Sequence, residues 1–135
     1  MKEKIIIIGG GQAAANAINA IRNADNEVSL SLISSENYLP YERPPLSKEY
    51  ISGEKNFEDF VFFNQKFYKE NNIELKLQSI VEQINFNDSK LKIFNKQDVY
   101  YDKLLICTGS RNRLLKIQGL ESSDIFQLRD IVDGK

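Results

Sequence analysis

Ile5-Ile6-Ile7-Ile8 is a β-branched apolar run that ends at glycine, and such a run predicts a short strand buried on both faces of a parallel sheet. The period then changes. Over residues 12–23 the apolar positions Ala14, Ala17, Ile18 and Ile21 recur at three- and four-residue spacing, which predicts a helix with one buried face. Val28, Leu30 and Leu32, with Ile33 beside them, predict a second strand. The first third therefore reads strand, turn, helix, strand, which is a βαβ unit.

Residues 34–56 are rich in Ser, Pro, Glu and Asn and predict a loop, with one short helical turn from Pro45 because proline suits a helix's first position. Residues 57–63 predict a strand or a buried loop whose phenylalanines Phe57, Phe60, Phe62 and Phe63 belong to the core. A helix over residues 64–71 turns Phe67 and Tyr68 inward. From Ile73 the runs become short and alternating: Ile73, Leu75, Leu77; Val81, Ile84, Phe86; Leu91, Ile93; Val99, Tyr101. Separated by turns such as Asn87-Asp88-Ser89 and Asn95-Lys96-Gln97, they predict an antiparallel β excursion. Leu104-Leu105-Ile106-Cys107 predicts a return to a buried strand, ending at Thr108-Gly109.

A chain of 135 residues suits one domain with a real core. Its 18 Lys and Arg balance 19 Asp and Glu without a basic run that could neutralise a series of phosphates, so nucleic acid is not an expected partner. The apolar run from Ile5 to Ile8 is too short for a signal peptide, and no segment approaches the roughly 20 apolar residues of a membrane span. The expected location is the cytoplasm. Cys107 is the only cysteine and there is no histidine, which excludes within this chain a disulfide, a CxxC redox pair, cysteine or histidine metal sites, and Ser-His-Asp or Cys-His catalysis. Cys107 itself closes an apolar strand, where cysteine acts as a small hydrophobe.

The glycine-rich turn Gly9-Gly10-Gly11-Gln12-Ala13-Ala14 stands where a binding mechanism requires it, after a strand and at a helix start. Gly9, Gly11 and Ala14 fit the G-x-G-x-x-G/A pattern of dinucleotide sites. The first glycine permits the tight turn, Gly11 lets backbone approach a pyrophosphate, and Ala14 lets helix and sheet close up. Gln12 and Ala13 complete the helix N-terminus, with its amide donors and partial positive charge. Glu36, 22 residues beyond Ala14 and past the second strand, is the best placed acid to accept hydrogen bonds from a ribose.

Pro40-Tyr41-Glu42-Arg43-Pro44-Pro45-Leu46-Ser47-Lys48 is more specific than the glycines. Together with residues 5–15 it resembles the amino-terminal FAD-binding region of the ferredoxin reductase family, which includes rubredoxin and putidaredoxin reductases and the reductase components of aromatic dioxygenases. The family pattern is P-Y-x-R-P-P-L-S-K. Cys107-Thr108-Gly109-Ser110-Arg111 resembles the family's A-T-G-A-R element, with Cys107 in place of alanine. Disulfide reductases of the same superfamily carry paired cysteines near this region, and coenzyme A disulfide reductases and peroxidases carry one. This chain has neither.

The resemblance implies an α/β fold: a Rossmann-like FAD-binding βαβ unit with a parallel sheet and an antiparallel excursion, incomplete at the carboxyl end. It implies that Arg43 contacts the FAD phosphates or lies along the flavin. Lys48 would sit near the reactive edge of the isoalloxazine, where a cation favours the reduced cofactor. Val81 would meet the adenine with its backbone, and Thr108 and Gly109 would form the turn that approaches FAD.

Family members take hydride from NAD(P)H onto FAD and pass electrons to a ferredoxin- or rubredoxin-like acceptor. Their nicotinamide-binding and carboxyl-terminal interface domains follow this region. Residues 1–135 are thus expected to be the amino-terminal part of an FAD-binding domain, ending near Asp130 at the start of a helix towards the nicotinamide domain and binding FAD weakly or not at all alone. The alternatives are a stand-alone dinucleotide-binding module, which has no need of Arg43 and Lys48, and a truncated remnant without function.

Overall fold

In chain order the elements are β1 (Lys4–Ile8), α1 (Gln12–Ala24), β2 (Ser29–Ile33), α2 (Gln65–Glu70), β3 (Ile73–Lys76), β4 (Val81–Asn85), β5 (Lys90–Ile93), β6 (Val99–Tyr100) and β7 (Lys103–Ile106). Short 3-10 turns occupy Pro44–Ser47 and Phe57–Phe60. The computed structural model describes the whole chain except residues 1, 114, 116, 122 and 124. A four-stranded parallel sheet has the order β3-β2-β1-β7, and β4-β5-β6 form a separate antiparallel sheet.

The continuous apolar character of β1 follows from cover on both faces. Ile7 packs with Ala14 and Ile18 of α1, Leu30, Leu32, Tyr68 and Ile73 on one side. Ile6 and Ile8 point the other way, against Ile33 and the hairpin residues Leu91 and Ile93. Strand alternation sends neighbouring isoleucines to opposite faces, so neither face tolerates a polar residue here. A third cluster of Tyr41, Leu46, Phe60 and Ile131 ties the proline-rich loop to the segment after residue 125.

Three elements differ from the pattern-based expectation. Ile73 and Leu75 belong to β3, which pairs in parallel with β2 rather than joining the antiparallel excursion. β3 is covered on one face only: Ile73 and Leu75 join the core, while Glu74 on the other face is exposed and accepts a hydrogen bond from Ser31 at 2.7 Å. Its alternation is therefore the same as that of an antiparallel strand.

β7 pairs with β1 alone among the described residues, and Ile106 is 51% exposed, where its apolar sequence predicts burial on both faces. Apolar sequence records what a strand's faces are suited to, not what covers them. Residues 57–63 are neither strand nor plain loop. Asn56 and Asp59 cap a 3-10 turn reciprocally, and a single antiparallel bridge then joins Val61 to Tyr41.

Tyr68, 1% exposed, places its phenol oxygen in the α1 core with no hydrogen-bond partner among the described residues, and burial raises its pKa. An unmet buried hydroxyl opposes folding, so Tyr68→Phe is expected to leave stability unchanged or raise it by up to about 1 kcal/mol. Urea unfolding checks this. A clear loss of stability would mean that the hydroxyl is satisfied.

Candidate cofactor site

β1 and β2 run side by side and β7 lies on the other flank of β1, so the strand order reverses at the β1–β7 boundary. Ligands of open parallel sheets bind outside the carboxyl ends of the strands at such a point. Here the glycine turn stands there. Gly9 donates to the Ile33 carbonyl at 2.8 Å, and Cys107 donates to that of Ile8 at 2.7 Å. A Cβ on Gly9 would lie 2.1 Å from the Cys107 carbonyl oxygen, and its φ of +123° excludes ordinary side chains in any case. The turn is thereby pressed against the start of Thr108.

Gly11, the N-cap of α1, is the opposite case. A Cβ there would meet nothing within 4 Å. Among the described residues no side chain caps the helix and no acid occupies its first turn, so none of them competes for the amides around Gln12 and Ala13, both of which are exposed. Open space beside bare amides at a helix N-terminus suits a pyrophosphate. Ala14 and Ala15 are fully buried and bring the helix down onto the sheet.

Just past β2, Glu36 and Arg43 form an ion pair through Oε1 and Nη2, with the two side chains 24% and 26% exposed. Arg43 Nη1 also donates to the Tyr41 hydroxyl at 2.5 Å and to the Arg129 carbonyl at 3.0 Å, while the guanidinium lies 4.4 Å above the Tyr41 ring centre. The Tyr41 hydroxyl donates to Glu36 Oε2 at 2.8 Å and accepts the Ile131 amide at 2.9 Å. Burial, followed by the bond to Glu36, pushes the Tyr41 phenol well above its ordinary range. It therefore remains a donor to the carboxylate throughout neutral pH.

Of the remaining expected residues, Gly109 adopts φ +67°, and a Cβ there would come within 3.3 Å of Arg129 Nη2. Arg129 Nε donates to the Ser110 carbonyl at 3.2 Å, which joins the exposed Thr108-Gly109 turn to the Arg43 network. Val81 begins β4. The two turn residues before Ile80 bond back to the end of β2, Gln78 to the Glu36 carbonyl at 3.1 Å and Ser79 to that of Ser34 at 2.8 Å. Val81 thus stands at the same end of the sheet as Glu36.

Lys48 is exposed at the close of the first 3-10 turn, and no hydrogen bond or ion pair among the described residues joins it to Glu36 or Arg43. Burial raises the Cys107 thiol, in keeping with its role as a small hydrophobe. Two surface clefts of about 570 and 520 Å³ lie elsewhere: one along Phe94 to Asp98, the other around Lys2 to Lys4 at the opposite end of β1. Neither touches the glycine turn.

Two participants were not legible as site residues. Tyr41 lies inside the proline-rich block, but its pattern does not say that its hydroxyl faces a carboxylate. Arg129 is 93 residues from Glu36 in sequence. Only the fold places it there.

A glycine turn between a parallel strand and a helix, with a carboxylate and a cation just past the second strand, defines a Rossmann-like α/β domain. The chain belongs to the pyridine nucleotide-disulphide oxidoreductase family, whose model matches residues 3–135. It is 32% identical over 132 residues to a probable ferredoxin reductase of Castellaniella defragrans, and 31% identical over 131 residues to a rubredoxin-NAD(+) reductase of Pseudomonas putida. These alignments cover 98% and 97% of this chain but 32% and 34% of the relatives. The chain therefore spans about a third of their length.

Among solved structures, the covalent putidaredoxin reductase–putidaredoxin complex superposes with a TM-score of 0.89 at 25% identity, covering 99% of this chain and 33% of the other. NADH:rubredoxin oxidoreductase of Clostridium acetobutylicum superposes at 0.87 and 29% identity, covering 99% and 34%. The expected α/β fold and the family resemblance both hold.

Proposed function

We propose that residues 1–135 form the amino-terminal part of the FAD-binding domain of an NAD(P)H-dependent flavoprotein reductase, whose acceptor is a ferredoxin- or rubredoxin-like protein. The observation that carries this reading is the open Gly11 turn with the Glu36–Arg43 pair just past the neighbouring strand. Reductase relatives with rubredoxin or putidaredoxin in their names support it.

On this reading Gly9, Gly11, Gln12, Ala13 and Ala14 receive the pyrophosphate. Glu36 binds the ribose, Arg43 the phosphates or the flavin, and Val81, Thr108 and Gly109 line the cofactor's path. Lys48 stands at the flavin edge as a tuning cation. Bound FAD supplies the conversion of a two-electron hydride donor into a source of single electrons. The nicotinamide site and most of the acceptor surface lie in other domains, so this stretch alone binds FAD weakly and does not turn over NAD(P)H. No helix among the described residues is long and apolar enough to cross a membrane. A cytoplasmic location accompanies the reading.

Titration of the purified chain with FAD and with ADP, followed into the millimolar range, tests it. FAD should bind more tightly than ADP, and Lys48→Met should narrow that gap. Equal affinity for the two, unchanged by Lys48→Met, would instead establish a module for adenine nucleotides. Binding of neither would overturn the cofactor assignment.

A further inference from the structure

The cofactor reading assigns roles to Glu36 and Arg43 but none to the group that holds both. Resting on that reading, we propose that Tyr41 is a positioning residue: its phenol oxygen fixes the ribose-side carboxylate, the phosphate-side guanidinium and the turn at residues 129–133 in one arrangement.

The Tyr41 hydroxyl has one proton and two acceptor positions. All three are used, the proton towards Glu36 and the acceptors for Arg43 and the Ile131 amide. The ring is 1% exposed and is held by edge contacts to Phe57 at 5.4 Å and Phe60 at 6.1 Å, so the oxygen has little freedom to move. Ile131 is fully buried. Without the phenol its amide would be a buried donor lacking an acceptor, a state folded chains avoid.

The far side of the network is equally constrained. Asp130 and Asp133 bond each other's backbone amides at 3.1 and 3.2 Å, forming a capping box that gives this segment the shape of a first helical turn. The Arg129 carbonyl, immediately before it, accepts Arg43 Nη1, and the Arg129 side chain reaches Ser110. Through Tyr41, both flanks of the site are set by one buried oxygen. A ligand then meets groups already ordered and does not lose affinity in ordering them.

The test compares the full chain with Tyr41→Phe, which keeps the ring, and with Tyr68→Phe, which deletes a buried hydroxyl outside the site. Amide hydrogen exchange is read by NMR, and FAD affinity by quenching of flavin fluorescence. In Tyr41→Phe the Ile131 amide should exchange at least about tenfold faster and FAD bind roughly tenfold more weakly, as expected for one lost bond to a charged group. Amides of β1 and β2 should stay protected. Tyr68→Phe should match the wild type in both measurements.

Unchanged exchange at Ile131 overturns the proposal. Faster exchange with unchanged FAD affinity overturns it too, by making Tyr41 purely structural, as does loss of protection throughout the sheet. If the wild-type chain binds no FAD, the cofactor reading fails and this role falls with it. That result is distinct from failure at Tyr41, which leaves wild-type binding intact.

Discussion

Gly9→Ala is expected to lower the stability of the chain by on the order of 4 kcal/mol, through left-handed strain and overpacking together. The added methyl would stand 2.1 Å from the Cys107 carbonyl oxygen and 2.6 Å from its carbon. Both belong to backbone already committed, because Cys107 donates to Ile8 and Gly9 to Ile33. Relief would require β1 and β7 to separate, which breaks the parallel pairing that holds β7 to the sheet.

Gly11→Ala makes the informative contrast. Its φ of −104° is ordinary and the space around it is open, so stability should change by less than about 1 kcal/mol, the scale of an N-cap exchange. FAD affinity should nevertheless fall, because the methyl enters the space proposed for the pyrophosphate. Urea unfolding followed by circular dichroism, together with FAD titration, separates the two effects. A stable Gly9→Ala chain would refute the packing argument, and a Gly11→Ala chain that binds FAD as well as wild type would refute the phosphate assignment.

The contrast explains why the turn was legible in the sequence while other parts were not. Strand, glycine turn and helix are written locally in residues 5–23, and each signal requires the next. The proline-rich block was legible through its resemblance to a family pattern. By contrast, the alternation at Ile73 and Leu75 describes a half-covered strand without naming its partner, so the pattern alone puts their strand in the wrong sheet. β7 shows the converse, since an apolar run says nothing about which neighbour lies beyond it.

The site was legible one residue at a time but not as a network. Glu36 and Arg43 stood out through spacing and motif, seven residues apart. Their direct pairing, and the Tyr41 oxygen that links them to Ile131, depend on how residues 38–62 fold back under the distant 128–135 segment. Nothing local encodes that contact. Arg22 is a second case, a charged residue near the end of a helix whose pattern points to Ala14, Ala17, Ile18 and Ile21.

Arg22→Met is expected to lower stability by about 3 kcal/mol, the range for losing hydrogen bonds from a charged donor to buried acceptors. Arg22 is 5% exposed. Nε donates to the Asn71 carbonyl at 2.8 Å, Nη1 to those of Asp25 at 3.3 Å and Val28 at 3.1 Å, and Nη2 to Asn72 at 3.2 Å. One guanidinium thus ties together the end of α1, the entry to β2 and the turn between α2 and β3. Burial lowers the pKa of the guanidinium, with Asp25 opposing, but a guanidinium keeps its proton at any pH at which the chain folds. Methionine fills most of the stem's volume, so the loss measured is that of the fork. The Arg22→Lys variant keeps the charge but not the planar geometry and should recover less than half of the loss. Because α1 is anchored at this end and offers its bare amides at the other, Arg22→Met should also weaken FAD binding through a looser helix. Urea unfolding of the three chains decides the matter: equal stabilities would mean that the four carbonyls find water or other donors, and that α1 is held by its apolar face alone.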